Sequence, residues 1–173
     1  MIPADPAPII VAALLAPADL AWLDGLRRAH FPPERNMLPA HLTLFHHLPP
    51  SISAEARQRI ARLARASPPP VARASGLIPL GRGVAIRITS PDLERIRGDL
   101  AEDFAGLLTP QDQAGWRPHV TIQNKASPEA ARTLLTELRA GFRERPVGIA
   151  GIATYFYRGG PWEPLSRHMF AGR

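Results

Sequence analysis

His41-Leu42-Thr43-Leu44 and His119-Val120-Thr121-Ile122 carry one pattern twice: histidine, apolar residue, threonine, apolar residue. Each stands close behind a proline, Pro39 in the first case and Pro118 in the second. Along a strand, side chains alternate between faces, so histidine and threonine share one face and the two apolar residues share the other. Leu42, Leu44, Val120 and Ile122 then anchor two strands in a core. His41, Thr43, His119 and Thr121 point away from it, into a groove if the strands are neighbours. A single strand histidine that makes a local hydrogen bond is commonplace; the duplication is the signal.

Outward from the two motifs, twenty prolines and thirteen glycines cut the chain into short elements. Ile9 to Leu15 is a continuous apolar run with β-branched residues, as expected of a buried strand. Leu20, Leu23, Leu26 and Arg27 follow at helical spacing until Pro32-Pro33. Ser53 is expected to cap a helix running to about Ala66, ended by Pro68-Pro69-Pro70. Val71 to Leu80 and Val84 to Thr89 read as two strands of a hairpin around Gly81-Arg82-Gly83, which lacks the spacing of a phosphate-binding loop. Ser90-Pro91 opens a helix with the stripe Leu93, Ile96, Leu100, Phe104 and Leu107. Ser127-Pro128 opens another, with Leu134, Leu135 and Leu138 inward. Val147 to Tyr157 and Arg167 to Phe170 are the last strands. The order is β-α-β-α-β-β-α-β-α-β-β, an α+β class with strand–helix–strand units in both halves. No linker is long enough to separate domains, so residues 1–173 are read as one.

Composition narrows the partners. The chain has 173 residues, 45% hydrophobic and 21% charged, too apolar for general disorder. Its formal charge is +6, and of the 21 basic residues only Lys125 is not arginine. Such a surplus suits anionic ligands such as nucleotides or RNA. The absence of cysteine excludes disulfides, thiolate nucleophiles and zinc fingers. Ile9 to Ala16 is too short for a membrane span, and no basic residue precedes it as in a signal peptide; the expected location is the cytoplasm.

Two imidazoles with ordinary pKa values of about 6.5 provide a base and an acid at neutral pH. On opposite sides of a phosphorus, one activates a water in line and the other protonates the departing oxygen. Each threonine hydroxyl, two residues on, reaches a non-bridging oxygen. No carboxylates are interleaved with the histidines, so metal ligation is not expected.

The paired motifs resemble those of the 2H phosphoesterase superfamily, with the bacterial 2′-5′ RNA ligase-like branch the nearest match. Also similar are Pro39-Ala40-His41-Leu42-Thr43-Leu44-Phe45, Leu80-Gly81-Arg82-Gly83-Val84, Arg117-Pro118-His119-Val120-Thr121 and Gln123-Asn124-Lys125. The resemblance implies a bilobal, two-sheet α+β fold with pseudo-twofold symmetry, helices on the outer faces and a central cleft. It implies metal-independent hydrolysis, or reversible ligation, of 2′,3′-cyclic or 2′-5′ phosphoester linkages in RNA ends or nucleotides. It gives His41, Thr43, His119 and Thr121 the catalytic roles, with His119 as base and His41 as acid in hydrolysis. No cofactor, metal or membrane is implied, and the chain is read as a monomer.

Five further residues are substrate-binding candidates. By alternation Phe45 lies on the His41 face and is placed to stack on a base; a core position is the other reading. Arg117 and Lys125 fall on the His119 face and suit phosphate. Tyr155 and Tyr157 share a face and either border the cleft or pack on the sheet. His46 and His47, adjacent in a strand, point to opposite faces and do not suit a metal site. The arginines of 57–65 lie on several sides of their helix and read as solvated surface. Two rivals to the RNA-end phosphoesterase stand: a binding protein for RNA ends or nucleotides that lacks turnover, and a phosphodiesterase for a non-RNA cyclic phosphate such as an ADP-ribose derivative.

Overall fold

Strand β1 (Ile9–Leu15) is apolar at every position because it has a neighbour on each edge and is covered on both faces. The computed structural model describes residues 6–172; of the span 1–173 expected to form one domain, residues 1–5 and 173 lie outside the described residues. After β1 come α1 (Pro17–His30), β2 (Leu42–Leu48), α2 (Ser53–Ala66), β3 (Val71–Pro79), β4 (Val84–Thr89), α3 (Pro91–Asp103), α4 (Pro110–Gln113), β5 (His119–Gln123), α5 (Pro128–Gly141), β6 (Arg145–Phe156) and β7 (Glu163–Met169). This is the expected alternation with one short helix, α4, added. The chain is α+β, with every strand pairing antiparallel.

Local chemistry explains the helix limits. Ser90 and Ser127 cap α3 and α5, each Oγ accepting the N–H three residues on, at 3.1 and 3.0 Å. Ser53, expected as a cap, is instead the first helical residue, behind Ile52, and makes no capping bond. Buried Ala56, Ile60 and Ala64 form the inward stripe of α2. Helix α3 stops at Asp103, short of the expected stripe. Phe104 still enters the core, but Gly106 turns the chain with φ +84°, and Leu107 is left exposed. Among the described residues no helix is long and apolar enough to cross a membrane.

The strands form an open path, β2-β1-β6-β3-β4-β5, with β7 on the side of β6. Strand β6 serves both halves: residues 145–148 pair with β3, and residues from 149 onward pair with β1 and β7. The motif strands β2 and β5 therefore stand at the two ends of the path. Helices cross between the halves to bring them together, α1 packing on β5 and α4 on β2, and β2 itself touches β5.

Both motif strands carry a β-bulge at the same place. In the β1–β2 pair Ala12 faces Thr43 and Val11 faces Phe45, which leaves Leu44 as the extra residue. In the β4–β5 pair Ala85 faces Thr121 and Val84 faces Gln123, which leaves Ile122 as the extra residue. Beyond each bulge the facing of the side chains reverses. Phe45 is thereby turned into the core, fully buried and edge-on to Phe104. This corrects the alternation reading, which places it with His41. Gln123 is turned inward in the same way, and its Oε1 is buried without a hydrogen-bond partner among the described residues.

The 81–83 turn is the expected hairpin. Gly81 takes φ +82°, and a Cβ on Gly83 would lie 1.8 Å from the Gln123 carbonyl oxygen, so β4 meets β5 only through a glycine.

Candidate active site

His41 and His119 are held alike. Nδ1 of His41 lies 2.9 Å from the Pro39 carbonyl oxygen, and Nδ1 of His119 lies 2.7 Å from that of Arg117. A carbonyl only accepts, so each Nδ1 carries the hydrogen and each Nε2 is left for chemistry. The carbonyls of the two threonines are also held alike, each by a side chain from the other half. Trp116 Nε1 donates to the Thr43 oxygen at 3.1 Å, and Arg27 Nη1 donates to the Thr121 oxygen at 2.9 Å. The hydroxyls of Thr43 and Thr121 make no hydrogen bond among the described residues. All four motif side chains line one cavity of about 450 Å³, together with Arg97, Trp116, Arg117 and Trp162.

His41 is pushed down to about 4, first by burial, against the opposing pull of its bond to Pro39 and aided by the charges of Arg27, His119 and His46. At neutral pH His41 is therefore unprotonated.

The other expected residues fall in several places. Arg117 is exposed and borders the cavity, while its carbonyl orients His119. Lys125 is not on a strand: β5 ends at Gln123 and Lys125 turns with φ 59°. It still lines an adjoining hollow of about 540 Å³ with Arg27, Arg35 and Tyr157, which shares His41 and Thr121 with the first. Tyr155 borders a third hollow, so the two tyrosines do not meet in one place, although both hollows reach His41. Among the described residues no three metal-ligating side chains come together.

Sequence reasoning misses several site residues. Trp162, on the β6–β7 connection, lies with its ring 4.5 Å from that of His41 and 5.5 Å from that of Tyr155, and it borders all three hollows. Arg27 and Arg97 are buried rather than surface charges. Arg27 also donates Nε to Asn36 Oδ1 at 3.1 Å, and Arg97 donates Nε to the Leu44 carbonyl at 3.0 Å while stacking on Phe45. Their positions hold the signal: each arginine occupies an inward slot of its helix, Arg27 four residues after Leu23 and Arg97 four after Leu93. His46 enters the first cavity as well.

The family model described as the 2′-5′ RNA ligase superfamily matches residues 15–160. Solved structures share the fold at low sequence identity. TT0787 of Thermus thermophilus aligns with TM-score 0.65 and 20% identity, over 96% of this chain and 99% of that one. E. coli LigT, solved with NADP+, gives 0.60 and 20% over 97% and 100%. A structure described as a phosphoesterase gives 0.57 and 23% over 96% and 100%. A search of curated proteins by sequence found no match.

Proposed function

This chain belongs to the 2′-5′ RNA ligase superfamily, and from that premise we propose that its cleft hydrolyses, or reversibly ligates, 2′,3′-cyclic or 2′-5′ phosphoester linkages of RNA ends or nucleotides. One observation carries the reading: two imidazoles with their Nδ1 atoms tied back to carbonyls, and two unengaged threonine hydroxyls, line a single cavity.

In hydrolysis of a 2′,3′-cyclic phosphate, His119 Nε2 takes a proton from water as the water oxygen bonds to phosphorus. The bond from phosphorus to the ribose 3′ oxygen breaks, and His41 Nε2 gives that oxygen its proton, leaving a 2′-phosphate. Thr43 and Thr121 hydroxyls donate to the non-bridging oxygens, where charge accumulates. Ligation puts a 5′-hydroxyl in the place of the water: His119 Nε2 takes its proton as the 5′ oxygen bonds to phosphorus, and His41 Nε2 protonates the departing 3′ oxygen, which gives a 2′-5′ linkage; cleavage of that linkage runs these transfers backwards with the roles of the histidines exchanged. His41, pushed down to about 4, acquires its proton as the substrate anion arrives, because a negative neighbour favours the imidazolium. The catalytic unit in this reading is the whole chain, since β6 supplies pairing to both halves.

The test is turnover of a panel of 2′,3′-cyclic nucleotides, 2′-5′ oligonucleotides and cyclic ADP-ribose phosphates in the presence of a chelator, with products identified by phosphorus NMR. His41→Ala and His119→Ala should each cost at least about a hundredfold in kcat. Unchanged rates in both variants would remove the histidines from the mechanism. Tight binding without turnover of any member would make the protein a nucleotide-binding module.

A further inference from the structure

The bulge at Leu44 brings a third imidazole into the cleft. His46 follows Phe45 in β2, and with the facing reversed it stands on the side of His41 and Thr43, lining the same cavity. Its Nδ1 lies 3.0 Å from Oδ1 of Asp112 in α4. That carboxylate also accepts the backbone N–H groups of His46, at 2.9 and 3.0 Å, and of His47, at 3.0 Å. Asp112 is 1% exposed, and no burial of this kind is tolerated by a carboxylate without such partners. Burial pushes its carboxyl up, but the bonds from His46 and His47 outweigh that and hold it below the usual range, so it is ionised. An ionised carboxylate on Nδ1 requires an N–H there and leaves Nε2 directed elsewhere.

The same aspartate also aims a guanidinium. Arg97 donates Nη2 to the Asp112 carbonyl at 2.7 Å and also lines the cavity, while its Nη1 makes no hydrogen bond among the described residues. Asp112 thus fixes His46 through its side chain and Arg97 through its main chain, both at the wall where the motif phosphate would sit. The corresponding place in the second motif, three residues after Thr121, is held by Asn124, which is uncharged and lines the neighbouring hollow.

We propose that His46, oriented by Asp112 and accompanied by Arg97, forms a second anion subsite beside the reacting phosphate, so that the substrate class is a nucleotide or oligonucleotide end bearing a further phosphate group. The inference rests on the phosphoester reading above for the identity of the first phosphate. The second phosphate is recognised by charge-assisted hydrogen bonds, which serve a phosphodiester and a terminal phosphomonoester alike.

Two measurements test it. Turnover is compared for a 2′,3′-cyclic nucleotide without a 5′-phosphate, the same nucleotide with one, and a dinucleotide ending in the cyclic phosphate; the second and third distinguish the two sources. Wild-type protein should favour at least one of them over the first by about tenfold or more in kcat/KM, the size expected of one charged hydrogen bond. In His46→Gln that ratio should fall to near one, and in Asp112→Asn it should fall part of the way. Binding of nucleoside 3′,5′-bisphosphate against 3′-monophosphate to the His119→Ala protein is measured by calorimetry, which requires no turnover. A bisphosphate preference that disappears on adding His46→Gln upholds the subsite even where the activity reading fails. Turnover with a substrate ratio unmoved by His46→Gln overturns the subsite and leaves the activity intact. Thermal melts of each variant establish that it is folded, and Arg97→Lys, which keeps the charge but not the fork, should give an intermediate ratio.

Discussion

At the scale of the residue, His41 is governed by its surroundings as well as by its holding. Both rings tie Nδ1 to a carbonyl two residues upstream, and His41 is pushed down to about 4, mainly by burial. A neutral ring must take up a proton before it can act as an acid, and a negative ligand favours that uptake. Between about 4 and the value reached in the complex, the bound state holds more protons than the free state, so binding takes up protons. Sulfate is a suitable probe because it does not titrate in this range. Its binding near pH 6 should show an enthalpy that depends on the ionisation enthalpy of the buffer in the sense of uptake, and His41→Ala should remove most of that dependence. Equal uptake in the variant would assign the proton to another group.

At the scale of the element, β4 and β5 approach each other at a spacing only glycine permits. Gly83→Ala places a methyl group where the Gln123 carbonyl stands, so the strand end must shift. A loss of about 3 kcal/mol is expected from such overpacking, read by denaturant unfolding, with Gly81→Ala a smaller effect from backbone strain alone. The hairpin that contains these glycines is legible from turn residues between two β-prone runs, as are the caps Ser90 and Ser127 and the His–Thr faces of both motifs. Legibility stops at the bulges. Alternation assumes one residue per step, and nothing in Thr43-Leu44-Phe45-His46 announces that Leu44 and Phe45 will both turn inward. Alternation therefore reads Phe45 into the cleft and misses His46. Trp162 escapes for another reason: it lies in a connection with no period, and only tertiary folding lays it against His41. Arg27 and Arg97 are visible within apolar stripes, but a count of surface charge hides two arginines whose work is inside.

At the scale of the whole molecule, the cleft is assembled by pieces that each half lends to the other. Arg27 of the first half holds the Thr121 carbonyl, while Arg97 and Trp116 of the second hold the carbonyls of Leu44 and Thr43. Trp116→Phe keeps the ring and removes one donor, and Arg27→Met keeps the bulk and removes the guanidinium. Each should cost about 1–3 kcal/mol of stability for the carbonyl left unpaired, measured by chemical denaturation, and should lower kcat by displacing the motif strand. Stability lost with kcat intact would show that these ties fasten the halves without aligning the site. The halves match in motif and in bulge, yet at the third residue beyond the threonine one carries His46 and the other Asn124. A perfectly twofold cleft would accept a phosphate in two equivalent orientations, and either histidine would meet either oxygen. The mismatch lifts that degeneracy. On the phosphoester reading it would give the groove a polarity, a fixed front and back, so that a chain of nucleotides would have one direction of entry and the acid and the base would be told apart by the substrate's own polarity.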